Sequence, residues 1–390
     1  MSLNERLQKP EEKPLSTHER REAIGKIADL LERNGIDVDQ IGKVQRISLY
    51  QSLTKNDNGE AEIHDLVGVQ LSPKFLEGPE WPVIQPGPAI RLPKPPSRPK
   101  TVSDWRTAVV LPDIQIGYFR LADDTLEPTH DEQALDVALQ ILRDVRPDVV
   151  ILVGDNLDLP EMSKYLTTAP YQRTTQASID RATRLCAELR AAAPEADIQW
   201  IAGNHEERLP RFIAQNASAA FGLRRGEAPE SWPILSVPFL CRFDEFGITY
   251  LPGYPASMYW INERIRVIHG DRVNSNGVTA SKYLAREKVS VLYGHIHRRE
   301  WAEITREDHD GPRTILAASP GCLARIDGVV PSTKGGHDLD GRPIRRHEDW
   351  QQGLAVVDYI PGDGPFHLEL VPIRQGHSRW RGTDYSAHHE

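Results

Sequence analysis

Residues 148–158 have the sequence Asp-Val-Val-Ile-Leu-Val-Gly-Asp-Asn-Leu-Asp. The run from Val149 to Val153 is apolar throughout, which is typical of a strand that is buried on both faces of a parallel sheet. A glycine and two acids follow at once, where such a strand would end. This stretch therefore predicts a buried parallel strand that places carboxylates at one edge of a sheet.

A β-rich apolar run next to a short polar cluster occurs five times along the chain. The clusters are Asp113-Ile114-Gln115, Gly154-Asp155-Asn156-Leu157-Asp158, Gly203-Asn204-His205-Glu206, His269-Gly270-Asp271 and Gly294-His295-Ile296-His297. Because parallel strands bring their carboxyl ends to the same sheet edge, we expect these acids, amides and imidazoles to meet there. Such a donor set is typical of a site for divalent metal ions.

The order of predicted elements indicates an α/β fold. Predicted strands at 107–112, 148–153 and 197–202 are separated by helices, one capped by Thr129 and one near 173–193. This alternation predicts parallel strands joined by right-handed crossovers. After about residue 245, strands follow one another closely, with one helix near 279–287. Those strands are predicted at 247–251, 264–268, 289–293, 299–305, 312–318, 353–360 and 366–373.

The length of 390 residues favours more than one domain. We expect a small helix-plus-hairpin module at 1–75, a proline-rich linker at 76–103, a main domain at 104–375 and a polar tail at 376–390. Within the main domain, the polar stretch 327–350 is expected to be an insertion. The hairpin prediction comes from the Asn-Asp-Asn-Gly turn at residues 56–59. The module could bind nucleic acid, dock a partner or dimerise; the sequence leaves these open, and with them the oligomeric state.

Composition excludes some classes of protein. A net charge of −9 and a pI near 5.9 argue against a protein that coats duplex DNA with a broad basic face. The three cysteines form no C-x-x-C pair, and no run approaches the roughly 18 apolar residues of a membrane span. We therefore expect a cytoplasmic protein with no membrane partner.

From Asp104 to about Pro372 the motif order D-x-Q, G-D-x-x-D, G-N-H-E, H, G-H-x-H resembles that of calcineurin-like metallophosphoesterases. The runs 203–208 and 349–353 further resemble phosphoesterases encoded by actinobacterial phages, which would place the protein in the cytoplasm of a bacterial host. The resemblance implies a two-sheet α/β/β/α sandwich and a hydrolase for phosphoric esters.

The same resemblance implies two divalent ions that share the carboxylate of Asp155. The first ion would be held by Asp113, Gln115, Asp155 and His297, and the second by Asp155, Asn204, His269 and His295. Oxygen ligands combined with imidazoles suit Mn²⁺ best, with Fe²⁺ or Zn²⁺ as alternatives. A water or hydroxide between the metals is the expected nucleophile.

Two residues are expected to act in catalysis without binding metal. His205 matches the family's histidine that contacts the phosphate and protonates the leaving oxygen, and Asp158 matches the acid that orients it. Gln115 departs from the family pattern, which has histidine at that position. A neutral amide is a poorer donor than imidazole, so we expect a looser first metal with catalysis retained.

Substrate contacts are less specific in the sequence. Arg208 and Arg298 lie next to ligand motifs and could grip phosphate oxygens. The insertion at 327–350 is interpreted as a lid over the site or as a solvated surface excursion. Several aromatic residues could stack a base or belong to the core or rim: Tyr165, Tyr171, Tyr254, Tyr259 and Trp260.

The leading functional hypothesis is a metal-dependent phosphodiesterase that acts on a nucleotide or nucleic acid. The alternatives are a DNA or RNA nuclease and a non-catalytic binding scaffold, the latter supported only by Gln115. A protein phosphatase is disfavoured, because Leu159 stands where that branch of the family has arginine.

Overall fold

In the computed structural model, the described part of the chain is residues 104–388 and two strands near the amino end. Within 104–388 the description omits residues 166–167, 228–230, 310, 334–337 and 340–341. The chain divides into two compact units, Met1–Ile90 and Arg91–Glu390. In the first unit, β1 (Ile41–Lys55) and β2 (Ala61–Pro73) pair as an antiparallel hairpin, as the sequence predicts. The predicted amino-terminal helix and the proline-rich linker lie almost entirely outside the described residues.

The described residues of the second unit form two large sheets and two short hairpins. Its strands are β3 (Arg106–Leu111), β4 (Tyr118–Arg120), β5 (Leu126–Pro128), β6 (Val149–Leu152), β7 (Asp197–Ile201), β8 (Ile248–Leu251), β9 (Met258–Asn262), β10 (Ile265–Ile268), β11 (Ser290–Tyr293), β12 (Arg299–Asp308), β13 (Gly311–Pro320), β14 (Gly353–Tyr359), β15 (Phe366–Pro372), β16 (His377–Trp380) and β17 (Thr383–Ser386). Its α-helices are α1 (Glu132–Val145), α2 (Thr175–Ala192), α3 (Arg208–Asn216), α4 (Val237–Leu240), α5 (Phe243–Phe246) and α6 (Val278–Leu284). Short 3₁₀ turns lie at Pro160–Met162, Ala169–Tyr171 and Ser218–Ala220.

The six-stranded sheet has the order β15-β14-β3-β6-β7-β8, in which β3, β6, β7 and β8 run parallel. The five-stranded sheet has the order β12-β13-β11-β10-β9, in which β10, β11 and β13 run parallel. The five-stranded sheet therefore has antiparallel strands at both edges, whereas the six-stranded sheet has the antiparallel strands β14 and β15 at one edge and the parallel strand β8 at the other. The carboxyl ends of the central strands carry the polar clusters.

The two sheets pack face to face through alternate side chains of their strands. Val110 and Ile151 of one sheet share a buried cluster with Val267 and Leu292 of the other. Neighbouring residues of the six-stranded sheet, such as Val109, point to the opposite face of that sheet. There they pack under α1 and α2. Burial on both faces explains why these strands are apolar without alternation.

Helix α6 covers the outer face of the five-stranded sheet, where Ala280 and Tyr283 pack on Val291 and Tyr293. The layers are thus helix, sheet, sheet and helix. This arrangement confirms the α/β/β/α sandwich that the resemblance implies.

Several local features differ from the sequence predictions. Helix α1 begins at Glu132, and Asp131 rather than Thr129 caps it by accepting hydrogen bonds from the N–H groups of Gln133 and Ala134. The strand β9 and the helices α3, α4 and α5 were not predicted. At the carboxyl end, β16 and β17 form a hairpin, and Gln140 of α1 donates a hydrogen bond to the carbonyl of Ser386. The boundaries of the domains stay a prediction.

Candidate metal centre

The polar clusters meet at one end of the sandwich because the parallel strands of both sheets end there. Asp113 follows β3, Asp155 follows β6 and Asn204 follows β7 in the six-stranded sheet. In the five-stranded sheet, His269 follows β10, while His295 and His297 follow β11. The predicted ligands of the second metal therefore come from both sheets.

The backbone at this edge has an unusual conformation. Five predicted ligands have a positive φ angle: Asp113 (37°), Gln115 (55°), Asp155 (49°), His295 (68°) and His297 (56°). Non-glycine residues rarely adopt this left-handed region, and such strain tends to collect at functional sites. The turns that aim these side chains are therefore held by the surrounding structure and not by local preference.

Glycines allow the strand ends to approach closely. A Cβ atom at Gly203 would lie 2.3 Å from Oδ1 of Asp155, and a Cβ atom at Gly294 would lie 2.4 Å from Oδ2 of Asp113. Any side chain at these positions would displace a predicted ligand. The glycines of the motifs thus make room for the carboxylates.

Ligand atoms of Asp155, His269 and His295 all lie within 4.8 Å of one another, a spacing at which they could share one metal ion. Nε2 of His269 lies 3.3 Å from Oδ2 of Asp155 and 3.0 Å from Oδ1 of Asn204. The other ring nitrogen of His269 is 2.8 Å from the carbonyl oxygen of Val153, which fixes the orientation of the ring. These four side chains are the predicted ligands of the second ion.

The predicted ligands of the first ion also lie together. Nε2 of His297 is 3.2 Å from Oδ1 of Asp113, whose two carboxylate oxygens accept hydrogen bonds from the backbone N–H of His295. Nε2 of Gln115 lies 3.5 Å from Oδ2 of Asp155. Asp155 therefore contacts members of both predicted ligand sets, as a bridging acid would.

The donor atoms in this site fit divalent cations. The side-chain oxygen of Gln115 and Nδ1 of His297 are buried, and within the described chain neither has a hydrogen-bond partner. Leaving a buried amide oxygen unpaired costs free energy that a bound cation would recover. Carboxylate, amide and imidazole groups together suit Mn²⁺, Fe²⁺ or Zn²⁺.

The charges of the protein itself also favour the binding of cations at this site. Burial opposes the ionisation of Asp155, but the imidazoles of His205, His269 and His295 outweigh it and hold the pKa of Asp155 well below its ordinary value. Burial lowers the pKa of His269, yet Asp155, Asp113 and Glu206 raise it to about 9. Burial and neighbouring His269 lower the pKa of His295 to about 4. The carboxylates here thus attract positive charge.

His205 lies beside this cluster and contacts a second acid. Its Nδ1 is 3.0 Å from Oδ1 of Asp158, and its Nε2 is 3.6 Å from Oδ2 of Asp155. Nη2 of Arg208 lies 2.7 Å from Nε2 of His205, and Nη1 of Arg208 donates to Oδ1 of Asp158 at 3.0 Å. The structure thus brings together three of the four residues predicted for catalysis or substrate binding.

Glu206 has a role that the sequence did not reveal, although it lies within the third motif. Its buried carboxylate accepts hydrogen bonds from the backbone N–H groups of Asp155 (2.9 Å), Asn156 (2.9 Å) and Gly203 (2.8 Å), and from the indole of Trp200 (3.3 Å). It thereby joins the turns after β6 and β7. Burial and the nearby charge of Asp155 raise the pKa of Glu206.

A cavity of about 580 Å³ opens over the cluster. Its lining includes Gln115, Asp155, Asn204, His205, His295 and His297, together with Arg208 and Arg298. Part of the insertion at 327–350 also lines it, through Ser332, Thr333, Glu348, Asp349 and Trp350. The described part of the insertion therefore borders the site.

The aromatic residues near this cavity differ in their burial and in their contacts. The ring of Trp350 packs edge-on against His297, with centroids 4.1 Å apart, and Tyr165 at the rim is exposed. Tyr171 is buried, and its hydroxyl donates to the carbonyl of Val329 in the insertion. Trp350 was not among the aromatic residues predicted from the sequence.

The family model of calcineurin-like phosphoesterases matches residues 107–299, the segment that carries all five clusters. The chain contains a calcineurin-like phosphoesterase domain. It is similar to the Gene 54 protein of Mycobacterium phage D29, with 29% identity over 185 residues that cover 45% of this chain and 67% of that protein. It is also similar to the Gene 54 protein of Mycobacterium phage L5, with 26% identity over 263 residues that cover 65% of this chain and 92% of that protein.

These matches confirm the family and the likeness to phage proteins that the motifs indicate. The phosphoesterase domain is accordingly a metal-dependent hydrolase of phosphoric esters, and its substrate is a phosphoester. Among the residues described, none of the helices combines the length and apolar character that a membrane crossing requires. The individual ligand and catalytic roles stay predictions.

Proposed function

We propose that the phosphoesterase domain hydrolyses phosphodiester bonds of a nucleotide or nucleic acid, with Mn²⁺ as the best-suited ion. Asp113, Gln115, Asp155 and His297 would hold one ion, and Asp155, Asn204, His269 and His295 the other. When bound, the ions supply positive charge to the phosphoryl oxygens and acidify the attacking water.

The charge of the cavity lining supports a diester over a monoester. The two guanidinium groups in the lining are engaged by the protein: Arg208 by His205 and Asp158, and Arg298 by the carbonyl of Asn274 at 2.6 Å. Nε of Arg298 also lies 3.7 Å from Glu300. No other arginine or lysine occurs among the described lining residues. A phosphomonoester, which is largely a dianion at neutral pH, would find no free protein cation there.

Two carboxylates strengthen this preference. Glu348 and Asp349 line the same cavity, where they repel a second negative charge on the phosphate. A diester carries a single negative charge at the phosphorus and suffers less from this repulsion. The acidic rim therefore favours a diester substrate.

The cavity also suits a nucleotide in size and lining. Its volume of about 580 Å³ lies within the range of small-molecule sites. Tyr165 is 70% exposed at the rim. Nζ of Lys164 lies over its ring, 5.1 Å from the ring centre, which leaves the other face available to stack a base. These features support a nucleotide or nucleic-acid substrate.

His205 is placed to move a proton during the reaction. Its Nε2 faces Asp155 and the cavity, while Nδ1 faces Asp158. A proton held at Nε2 would pass to the leaving oxygen, and the carboxylate of Asp158 would stabilise the charged imidazole. The guanidinium group of Arg208 must move away from Nε2 before that nitrogen can carry a proton, because a guanidinium group only donates hydrogen bonds.

The proposal is tested by the ratio of activities on bis-p-nitrophenyl phosphate and p-nitrophenyl phosphate in Mn²⁺. We expect the diester to be preferred, and the preference to narrow in a variant with Glu348→Gln and Asp349→Asn. Asp155→Asn should abolish both activities. A stronger activity on the monoester would contradict the proposal, and metal binding without turnover of either ester would favour a binding scaffold.

A further inference from the structure

A second cavity, of about 240 Å³, lies beside the turn that follows His269, between this turn and α6. The residues of its lining that matter here are Asp271, Arg272, Lys282, Tyr283, Arg286 and Glu287. A Cβ atom at Gly270 would lie 2.9 Å from the hydroxyl of Tyr283 and 3.8 Å from Cβ of His295. The cavity, here called the Arg286 cavity, is therefore separated from the candidate metal centre by this turn.

The Arg286 cavity carries an excess of positive charge. Glu287 is paired with Arg266 at 2.5 Å, and Asp271 lies 3.5 Å from Nε of Arg272. Nζ of Lys282 contacts the neutral amide oxygen of Asn274 at 2.5 Å. Within the described chain, Arg286 has no ion-pair partner. Lys282 and Arg286 thus remain uncompensated, in a protein whose net charge is −9.

A buried hydroxyl group in the cavity also lacks a hydrogen-bond acceptor. Tyr283 is only 8% exposed, and its hydroxyl, which the backbone N–H of Asp271 approaches, donates to no acceptor among the described residues. An unpaired buried hydroxyl group is costly, so a ligand with acceptor oxygens would be stabilised there. Two cations whose charge is not compensated and one hydroxyl without an acceptor are donors that suit a phosphate group.

We propose that the Arg286 cavity binds the phosphate next to the scissile one, so that the substrate is a strand with consecutive phosphates. This inference rests on the proposed function, because it assumes that a phosphodiester is cleaved at the neighbouring metal centre. The cavity volume accepts a phosphate group but leaves little room for a whole nucleotide. A nucleic-acid strand is accordingly preferred over a cyclic mononucleotide.

The test compares substrates with and without an additional phosphate. The kcat/KM values in Mn²⁺ are measured for bis-p-nitrophenyl phosphate and for thymidine dinucleotides that carry no terminal phosphate, a 5′-phosphate or a 3′-phosphate. We expect one terminal phosphate to raise kcat/KM, and Arg286→Ala to reduce that gain by about 5- to 20-fold. Lys282→Ala and Tyr283→Phe should reduce the same gain. Arg143→Ala removes an exposed arginine from α1 in the opposite outer layer and serves as the matched control.

Each outcome bears on a separate claim. If Arg286→Ala lowers kcat/KM equally for all substrates, or leaves the gain unchanged, the Arg286 cavity is not a phosphate site. If the wild-type protein cleaves none of these diesters, the proposed function fails, and calorimetric titration with the phosphorylated dinucleotides then tests the cavity alone. Equal affinity of wild type and Arg286→Ala in that titration would overturn the inference.

Discussion

Nη2 of Arg208 lies 2.7 Å from Nε2 of His205, so the guanidinium group donates a hydrogen bond to the imidazole. The proton of a neutral His205 must then be at Nδ1, which faces Asp158 at 3.0 Å. Arg208, which the sequence suggested as a substrate residue, here holds the orientation of a predicted catalytic residue.

Arg208→Ala should lower kcat by roughly 10- to 100-fold with little change in KM, because His205 and Asp158 lose their common partner. Steady-state kinetics on bis-p-nitrophenyl phosphate measure both parameters. Arg211→Ala removes an exposed arginine from the same helix and is the control. A rise in KM at constant kcat would instead show that Arg208 binds substrate, as first predicted.

His205→Ala should reduce turnover by roughly 10²–10⁴-fold while the metal content of the purified protein stays near that of wild type. The reason is that His205 contacts Asp158 and Arg208 and is not among the predicted ligands. Metal content is measured by elemental analysis next to the activity assay. His347→Ala, at an exposed position of the insertion, is the comparison. Loss of metal in His205→Ala would show that His205 is a ligand.

Glu206→Gln should destabilise the fold by roughly 2–4 kcal/mol, because an amide N–H₂ would meet backbone donors where a carboxylate now accepts. The measurement is the free energy of unfolding in urea. The neighbouring substitution Glu207→Gln touches no such network and should change it by about 0.5 kcal/mol at most. Equal free energies of unfolding for the two variants would show that Glu206 does not hold the turns after β6 and β7 together.

Gln115→His should bind the first ion more tightly, since imidazole is a better donor than an amide toward these metals. Calorimetric titration of metal-free protein with Mn²⁺ would report a lower dissociation constant for one site. Gln176→His, on the exposed surface of α2, adds a histidine away from the cavity as a control. An unchanged dissociation constant in Gln115→His would mean that residue 115 does not contact the ion.

The ion pair between Glu132 of α1 and Arg181 of α2 should make the stability of the protein depend on pH. Burial disfavours the charged form of Glu132, but two hydrogen bonds of 2.7 Å from Arg181 and one contact of 2.8 Å with His130 prevail and lower its pKa far below 4.5. A lowered pKa means that this stabilisation is complete above about pH 4.5 and is lost as the pH falls toward the folded-state pKa.

The difference in Tm between wild type and Glu132→Gln should therefore be largest near neutral pH and shrink below about pH 4.5. Thermal unfolding followed by circular dichroism across this range would measure it. Glu195→Gln, an exposed position, provides the reference. A difference in Tm that grows on acidification would contradict the assigned network.

The long apolar strands and the motifs after them were predictable because both are written in local sequence. Predicted strand 148–153 corresponds to β6 at Val149–Leu152, and predicted strand 353–360 to β14 at Gly353–Tyr359. By contrast, β9 lacks a turn signal of its own and is a strand because it pairs with β10. The hairpin β16–β17 is polar in sequence, yet the side chain of Tyr385 is buried with the core beside α1.

The sequence by itself determined the apolar strands and the polar clusters that follow them, because burial on both faces requires apolar strands. The sandwich and the predicted ligands came from the resemblance of those motifs to a known family. Tertiary structure alone decided how those side chains are aimed. The positive φ angles at Asp113, Asp155 and His297 are unfavourable locally and persist because the surrounding contacts hold them. The contacts of Glu206 and Arg208 span about 50 residues of chain, and no local pattern encodes such a distance.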